Sequence, residues 1–355
     1  MKLPAAAAAW CALLGVASSR YIAPDPMPSP TTHTTLTEQH HALGVGRAGI
    51  PTSFDWRTVA GVVSPIRSQY LPEWCGSCWA HAVTSSLADR VNVLRTRDGY
   101  TGQRGSVMLS VQNFLDCGTA GKCYGGSWEK AFEWAASHGV CDDSCAPYKG
   151  KDGFKCEPCS LIFENKTSVP VPGARRFRAA EWGYVNASSY GATTSEPKAI
   201  AEMQNEIAAR GPIVCSMETE DDHNPLGAWH CYEGGVYKTK NTFPSTNHVI
   251  SLVVSAMTLR LLCATSLALL TQRYCRQGWG KDDDDDKTPY WIGRHSGGTI
   301  FGEEGFFRIE RGVNALNIES HCGYATIRDA DPKRGNVSGF PCENGVTRPY
   351  SPAPP

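Results

Sequence analysis

An α+β chain of two lobes is predicted by three observations: helical periodicity dominates the first half, strand-like runs dominate the second, and cysteine-rich loops lie between the helices. With 41% hydrophobic residues among 355 and a formal charge of −1, the chain has apolar material for one or two ordinary cores. That charge gives no electrostatic reason to bind nucleic acid.

Met1-Lys2, the apolar run from Pro4 to Val16 and the small residues Ala17-Ser18-Ser19 have the form of a secretory signal peptide over 1–19. Residues 20–50 are rich in Pro, Thr, His and Gly, carry no helical period and read as a short propeptide. A helical lobe is expected over 51–185. Its first helix starts at Cys78, because Val83, Leu87, Val91 and Leu94 recur at helical spacing. Trp128, Phe132 and Ala135 mark a second helix that stops near Gly139. The strand-rich lobe, 186–330, opens on one helix. There Ser195-Glu196-Pro197 supplies a cap and a first-turn proline, Ile200, Met203 and Ile207 one face, and Gly211-Pro212 the stop. Strands are expected at Ile213 to Met217, Gly235 to Tyr237, Val249 to Val253, Tyr290 to Gly293 and Phe306 to Ile309. The Pro- and Gly-rich tail, 331–355, is expected to be irregular.

Val254 to Gln277 interrupts this order with Leu261, Leu262, Leu267, Leu269, Leu270 and two cysteines, Cys263 and Cys275. A membrane span over Val249 to Thr271 is rejected, since it would put the halves of one lobe on opposite sides of a bilayer. A packed surface insertion is one alternative. A retained intron is favoured: Val254-Ser255 can be encoded by a donor-like start, Gln277 by CAG, and the length is a whole number of codons. Asp282 to Asp286, between Lys281 and Lys287, lacks EF-hand spacing and reads as a solvated loop.

Chemistry concentrates at Trp74-Cys75-Gly76-Ser77-Cys78-Trp79-Ala80-His81. Cys78 falls in the first turn of its helix, where unpaired N–H groups and the helix dipole favour a thiolate and can bind an oxyanion. A thiol so placed is expected to titrate below the free value of about 8.5. Fifteen cysteines behind a signal peptide imply the oxidising secretory pathway, with a lysosome-like or extracellular destination. Cys156-Glu157-Pro158-Cys159 has no matching second ligand pair, so neither a metal nor a cofactor is predicted. Spacing alone leaves the disulfide connectivity open. Asn165, Asn186 and Asn336 stand in glycosylation triplets.

Several segments together resemble the papain-like cysteine peptidases. They are the cysteine motif itself, Phe54-Asp55-Trp56-Arg57, Gln69, Cys123-Tyr124-Gly125-Gly126, Asn247-His248-Val249-Ile250, Tyr290 to Ser296 and Gly302 to Ile309. The resemblance implies a helical left lobe and a β-barrel-like right lobe with a cleft between them. It also implies Cys78 as nucleophile, His248 as base, Gln69 as an oxyanion donor, and Gly125 and Gly126 along the substrate. The pairings it implies are Cys75–Cys123, Cys117–Cys156, Cys145–Cys159 and Cys215–Cys322, leaving Cys141, Cys231 and Cys342 unassigned.

The chain departs from that family at the base's partner. His295-Ser296-Gly297 stands where the family has Asn-Ser-Trp, and Phe301 where a second tryptophan is usual. A neutral His295 can accept a hydrogen bond from His248, but with an ordinary pKa of about 6.5 it would become a cation in acid. Reduced activity and an optimum displaced toward neutral pH are therefore expected. The spacer Tyr70-Leu71-Pro72-Glu73-Trp74 resembles the loop of the cathepsin X branch, which closes the primed side and makes carboxypeptidases. Tyr70, Leu71 and Pro72 are thus expected to contact substrate, with Tyr70 replacing the branch's histidine. A monomer acting on peptides or proteins, and open to cysteine-protease inhibitors, is expected. A non-catalytic peptide-binding relative and a broad endopeptidase are the rival readings.

Overall fold

The computed structural model describes residues 54–97, 106–156, 159–162, 168–170, 176–219, 229–239, 245–256 and 288–327. The expected signal peptide, propeptide, acidic run and tail, most of the segment 254–277, Asn165 and Asn336 lie outside them.

Helix α1 spans Cys78–Arg97, α2 Val111–Cys117, α3 Trp128–His138 and α4 Pro197–Arg210. The Ser127 hydroxyl caps α3 by accepting from the Lys130 N–H at 3.1 Å, and Gly139 ends it at φ +73°, a left-handed angle that glycine adopts without strain. At α4 the cap is the Glu196 carboxylate, which accepts from the Ala199 N–H at 2.7 Å and suits the positive end of the helix. Ile200, Met203 and Ile207 are buried, as their spacing predicts.

The main sheet contains β1 (Phe54–Asp55), β2 (Ala179–Tyr184), β3 (Ile213–Met217), β4 (Val236–Tyr237), β5 (His248–Ala256), β6 (Tyr290–Arg294), β7 (Phe306–Glu310) and β8 (Cys322–Ile327). Its order is β4-β7-β6-β5-β3-β8-β2, with β1 beside the far end of β5. The end strands β4 and β2 do not pair, so the barrel-like lobe is an open sheet. Phe54-Asp55 and Ala179–Tyr184, both from the half read as helical, complete it. Val254 to Ala256, where the anomalous segment was taken to start, continue β5 and pair with β6 beyond a bulge after Leu252. That strand also uses part of the apolar run considered as a span. No helix among the described residues is long and apolar enough to cross a membrane.

Alternation along the central strands divides two cores between the lobes. Val214, Val249 and Ala325 pack with Trp79, Leu87 and Phe132 of the helical lobe. Ile213, Ile250 and Leu252 pack with Met203, Trp291 and Phe307 in the other. Each large apolar side chain so buried contributes about 1.5–3 kcal/mol. Helix α1 lies between the lobes and is buried on every side from Cys78 to Val93, not amphipathic against water as its period predicts. Its polar residues face protein instead. Asp89 pairs with Arg294 at 2.6 Å, Arg90 with Glu206 at 2.8 Å, and the Ser86 hydroxyl donates to the Pro212 carbonyl at 2.6 Å.

Among the described residues the disulfides Cys75–Cys123, Cys117–Cys156, Cys145–Cys159 and Cys215–Cys322 are formed, the pairings that the resemblance implies. Cys231 is also disulfide-bonded. Cys78 and Cys141 are buried free thiols. Asn186 is exposed, and its side-chain oxygen accepts from the Cys322 N–H at 2.7 Å.

Candidate active site

The turn before α1 is fixed from both flanks. Cys75 is tied to Cys123, the Gly76 N–H donates to the Cys123 carbonyl at 2.7 Å, and the Ala80 and His81 N–H groups close the first helical turn on the Ser77 carbonyl at 3.0 Å. The Ser77 hydroxyl meets the Tyr148 hydroxyl at 2.9 Å. This holds Cys78 at the helix start, directed at the other lobe, where its sulfur meets the Val249 N–H. Gly125 and Gly126 form the short hairpin beside it. A Cβ at Gly126 would meet the Trp79 indole at 2.5 Å, so only glycine lets the chain run this close to the nucleophile turn.

Gln69 links the lobes. Its N–H donates to the Ser296 carbonyl at 2.8 Å, and its side-chain oxygen accepts from the Ser296 hydroxyl at 2.6 Å. With that oxygen engaged, the amide nitrogen is the end left to donate to a substrate oxygen. The Gln69 carbonyl also accepts from the Cys75 N–H at 3.2 Å and the Tyr148 hydroxyl at 2.9 Å, which closes Tyr70-Leu71-Pro72-Glu73-Trp74 into a loop. Lys151 pairs with Glu73 at 2.5 Å on its outer side, and Leu71 is 66% exposed at its tip. Tyr70 turns inward and lines a pocket with His248 and His295.

His248 opens β5 opposite Met217, and His295 directly follows β6. Asn247 positions the first of them, its side-chain oxygen accepting from the Thr219 N–H at 3.0 Å and hydroxyl at 2.9 Å. The imidazoles come together as rings, centroids 4.7 Å apart and planes 36° apart, and not as a hydrogen-bonded pair. The His248 Nε2 and His295 Nδ1 atoms are buried without a protein hydrogen-bond partner. His295 instead lies on Phe301, with centroids 3.8 Å apart. Trp229, absent from the sequence-based site, packs edge-on at 6.3 Å from His295 and covers a side of the ring.

Desolvation governs the charges. Burial pushes the Cys78 thiol up to about 11, against the opposing pull of the Val249, Trp79 and Cys78 N–H groups. Burial, with His230 nearby, lowers His248 to about 3. Burial, then His248 and His230, hold His295 well below 6.5. The helix-start N–H groups thus work against a burial penalty that favours the thiol, and burial likewise disfavours the charged form of both imidazoles. At His295 this opposes protonation in acid.

The ring at 295 also explains the glycine at 297. A Cβ there would sit 2.7 Å from His295 Nδ1 and 3.2 Å from the Phe301 Cβ. Gly297→Ala should cost about 1–3 kcal/mol by overpacking, yet be nearly neutral once His295 is Asn. A urea double-mutant cycle measures the coupling, and additivity within about 0.3 kcal/mol would show that the positions are independent.

Sequence reasoning missed Trp229 and His230, which carry no motif of their own, and the tie of Ser296 to Gln69, which its motif does not specify. Their roles arise from contacts between distant segments.

The chain matches the profile described as papain family cysteine protease over residues 50–255 and 264–326. It is 33% identical to cathepsin Z of Onchocerca volvulus over 82% of this chain and 83% of that one. It is 29% identical to cathepsin B-like cysteine proteinase 3 of Caenorhabditis elegans over 77% and 65%. Among solved structures, procathepsin L2 from the Tenebrio molitor larval midgut aligns with a TM-score of 0.58 at 21% identity, covering 88% of this chain and 79% of that one. Bromelain from Ananas comosus aligns at 0.52 and 21%, covering 79% and 100%. Those likenesses support the two-lobed fold, and with the matched segments they place this chain in the papain family of cysteine proteases.

Proposed function

We propose that this chain is a carboxypeptidase that removes single residues from free peptide C termini through a thioester on Cys78. The observation that carries this reading is the loop headed by Tyr70, tethered through Gln69 and walling the pocket that contains His248. A wall there leaves little room for chain beyond the scissile bond. In the proposed cycle the Cys78 sulfur attacks the carbonyl carbon while His248 takes the thiol proton. The Gln69 amide and the Cys78 N–H receive the oxyanion. His248 returns the proton to the departing amine, then draws one from the water that cleaves the thioester, restoring the thiol and releasing the shortened peptide acid. His295 orients His248 by ring contact only, a weaker constraint than the hydrogen bond expected of an asparagine. Activity is accordingly reduced, and its optimum is displaced upward in pH.

Peptide and protein chains are the substrates in this reading, cysteine-protease inhibitors are possible ligands, and the protein works as a monomer in the secretory pathway, where its disulfides persist. The rival reading, a peptide-binding relative without turnover, draws on the neutral Cys78 and the unpartnered His248 Nε2. Labelling by a thiol-directed epoxide, lost in Cys78→Ala, separates the two. For exopeptidase action, a peptide with a free C terminus should be cleaved about tenfold faster than its C-terminal amide, the worth of one hydrogen bond to a charged group. Equal rates would make the enzyme an endopeptidase.

A further inference from the structure

The pocket beside the proposed nucleophile contains a second histidine-bearing wall, from the lobe opposite the Tyr70 loop. It is lined by Tyr70 on one side and by Thr219, His230 and His248 on the other, with Ile300 and Phe301 at its apolar edge. His230 is half-buried and rigidly based. Trp229 before it is 2% exposed and packed on Phe307 at 4.7 Å, and Cys231 after it is disulfide-bonded. No carboxylate among the described residues lines this pocket. A histidine held there has no anionic partner from those walls, and a substrate's carboxylate would supply one. Thr219 cannot serve as donor, because its hydroxyl already donates to the Asn247 side-chain oxygen at 2.9 Å.

We propose that His230 is the specificity-determining residue that holds the terminal carboxylate of the substrate, donating a charged hydrogen bond while the Tyr70 hydroxyl donates a second from the opposite wall. This rests on the carboxypeptidase reading above and assigns its recognition step. Tyr70 alone offers a neutral bond, about half as strong as a charge-assisted one. His230 supplies the missing charge when protonated. Burial lowers its pKa in the free protein, and an incoming carboxylate opposes that shift. Among the described residues that line the pocket, the titratable groups facing it are His248, lowered to about 3, His295, held well below 6.5, and Tyr70, raised to about 12 by burial and then by Cys78. Each of these shifts favours the neutral form through mild acid, so the change of carboxylate preference between about pH 5 and 8 that His230→Gln removes is the part assigned to His230.

The test uses the full chain with Cys78→Ala, so that nothing is cleaved, and a fluorescent peptide with either a free C terminus or a C-terminal amide. Anisotropy gives both dissociation constants from pH 5 to 8. The free acid should bind at least about tenfold more tightly at pH 5, with the ratio falling toward pH 8. Adding His230→Gln should bring the ratio to about 1–2, whereas His230→Arg, a cation that does not titrate, should keep it and make it independent of pH. Amide binding by the His230→Arg protein reports that the pocket is folded. A full acid preference in His230→Gln overturns the role of His230 and leaves the carboxypeptidase reading standing. No acid preference in the Cys78→Ala parent, together with equal turnover of acid and amide by the unmodified enzyme, overturns that reading and this assignment with it.

Discussion

His295→Asn is expected to raise kcat/KM for peptide hydrolysis by about tenfold to a hundredfold at pH 5. A buried polar atom without a partner costs about 1–3 kcal/mol, and each 1.4 kcal/mol is a factor of about ten. The His248 Nε2 is such an atom. A carboxamide at 295 gives it an acceptor, stabilises the imidazolium and so raises the His248 pKa. The resulting cation draws the Cys78 thiol down, restoring the thiolate at acidic pH. In the unmodified protein, burial pushes the thiol up and the imidazole down, so both shifts oppose the thiolate–imidazolium pair. Iodoacetamide should therefore alkylate Cys78 slowly at pH 5 and faster with each step toward alkali. In His295→Asn a plateau should appear in acid. A plateau already present without the substitution, or no gain in hydrolysis with it, would refute this account of His295.

The largest stability effect is expected for Asp89→Ala. Asp89, in the middle of α1, meets Arg294 at 2.6 Å, and Arg294 immediately precedes His295 in the other lobe. Both side chains are almost wholly buried, and the Ser64 N–H donates to the same carboxylate at 2.7 Å. Removing the carboxylate strands a guanidinium in the interface, which costs about 3–5 kcal/mol. For a chain of this size that corresponds to a fall in Tm of about 4–7 °C. Thermal unfolding followed by circular dichroism measures it. A fall below about 2 °C would mean that the pair contributes little, and that apolar packing and the other interlobe hydrogen bonds hold the lobes together.

Much of this architecture was legible because its signals are local. The Cys78 helix, the Trp128 helix with its Gly139 stop and the Pro197 helix are each set by spacing and caps. The strands at Ile213, Val249, Tyr290 and Phe306 are set by short apolar runs between turns. The open edge of the sheet was not legible, because whether β4 reaches β2 depends on twist accumulated over all the strands. Nor was the burial of α1 on every side: Asp89 and Arg90 look like a solvated face until Arg294 and Glu206 are known to lie against them. At the site, Cys78, His248 and Gln69 are proposed from their neighbours in sequence. The stacked geometry at His295 and the placing of His230 could not be, since both depend on residues far away in the chain, Phe301 and Tyr70.

The tight fit of the His295 ring over Gly297 also sets an order on any rebuilding of the site. A Cβ at 297 would meet His295 Nδ1 at 2.7 Å, so a larger residue cannot be seated there while the imidazole keeps its place. Engineering toward an asparagine and tryptophan pair has to exchange position 295 first, or both positions together.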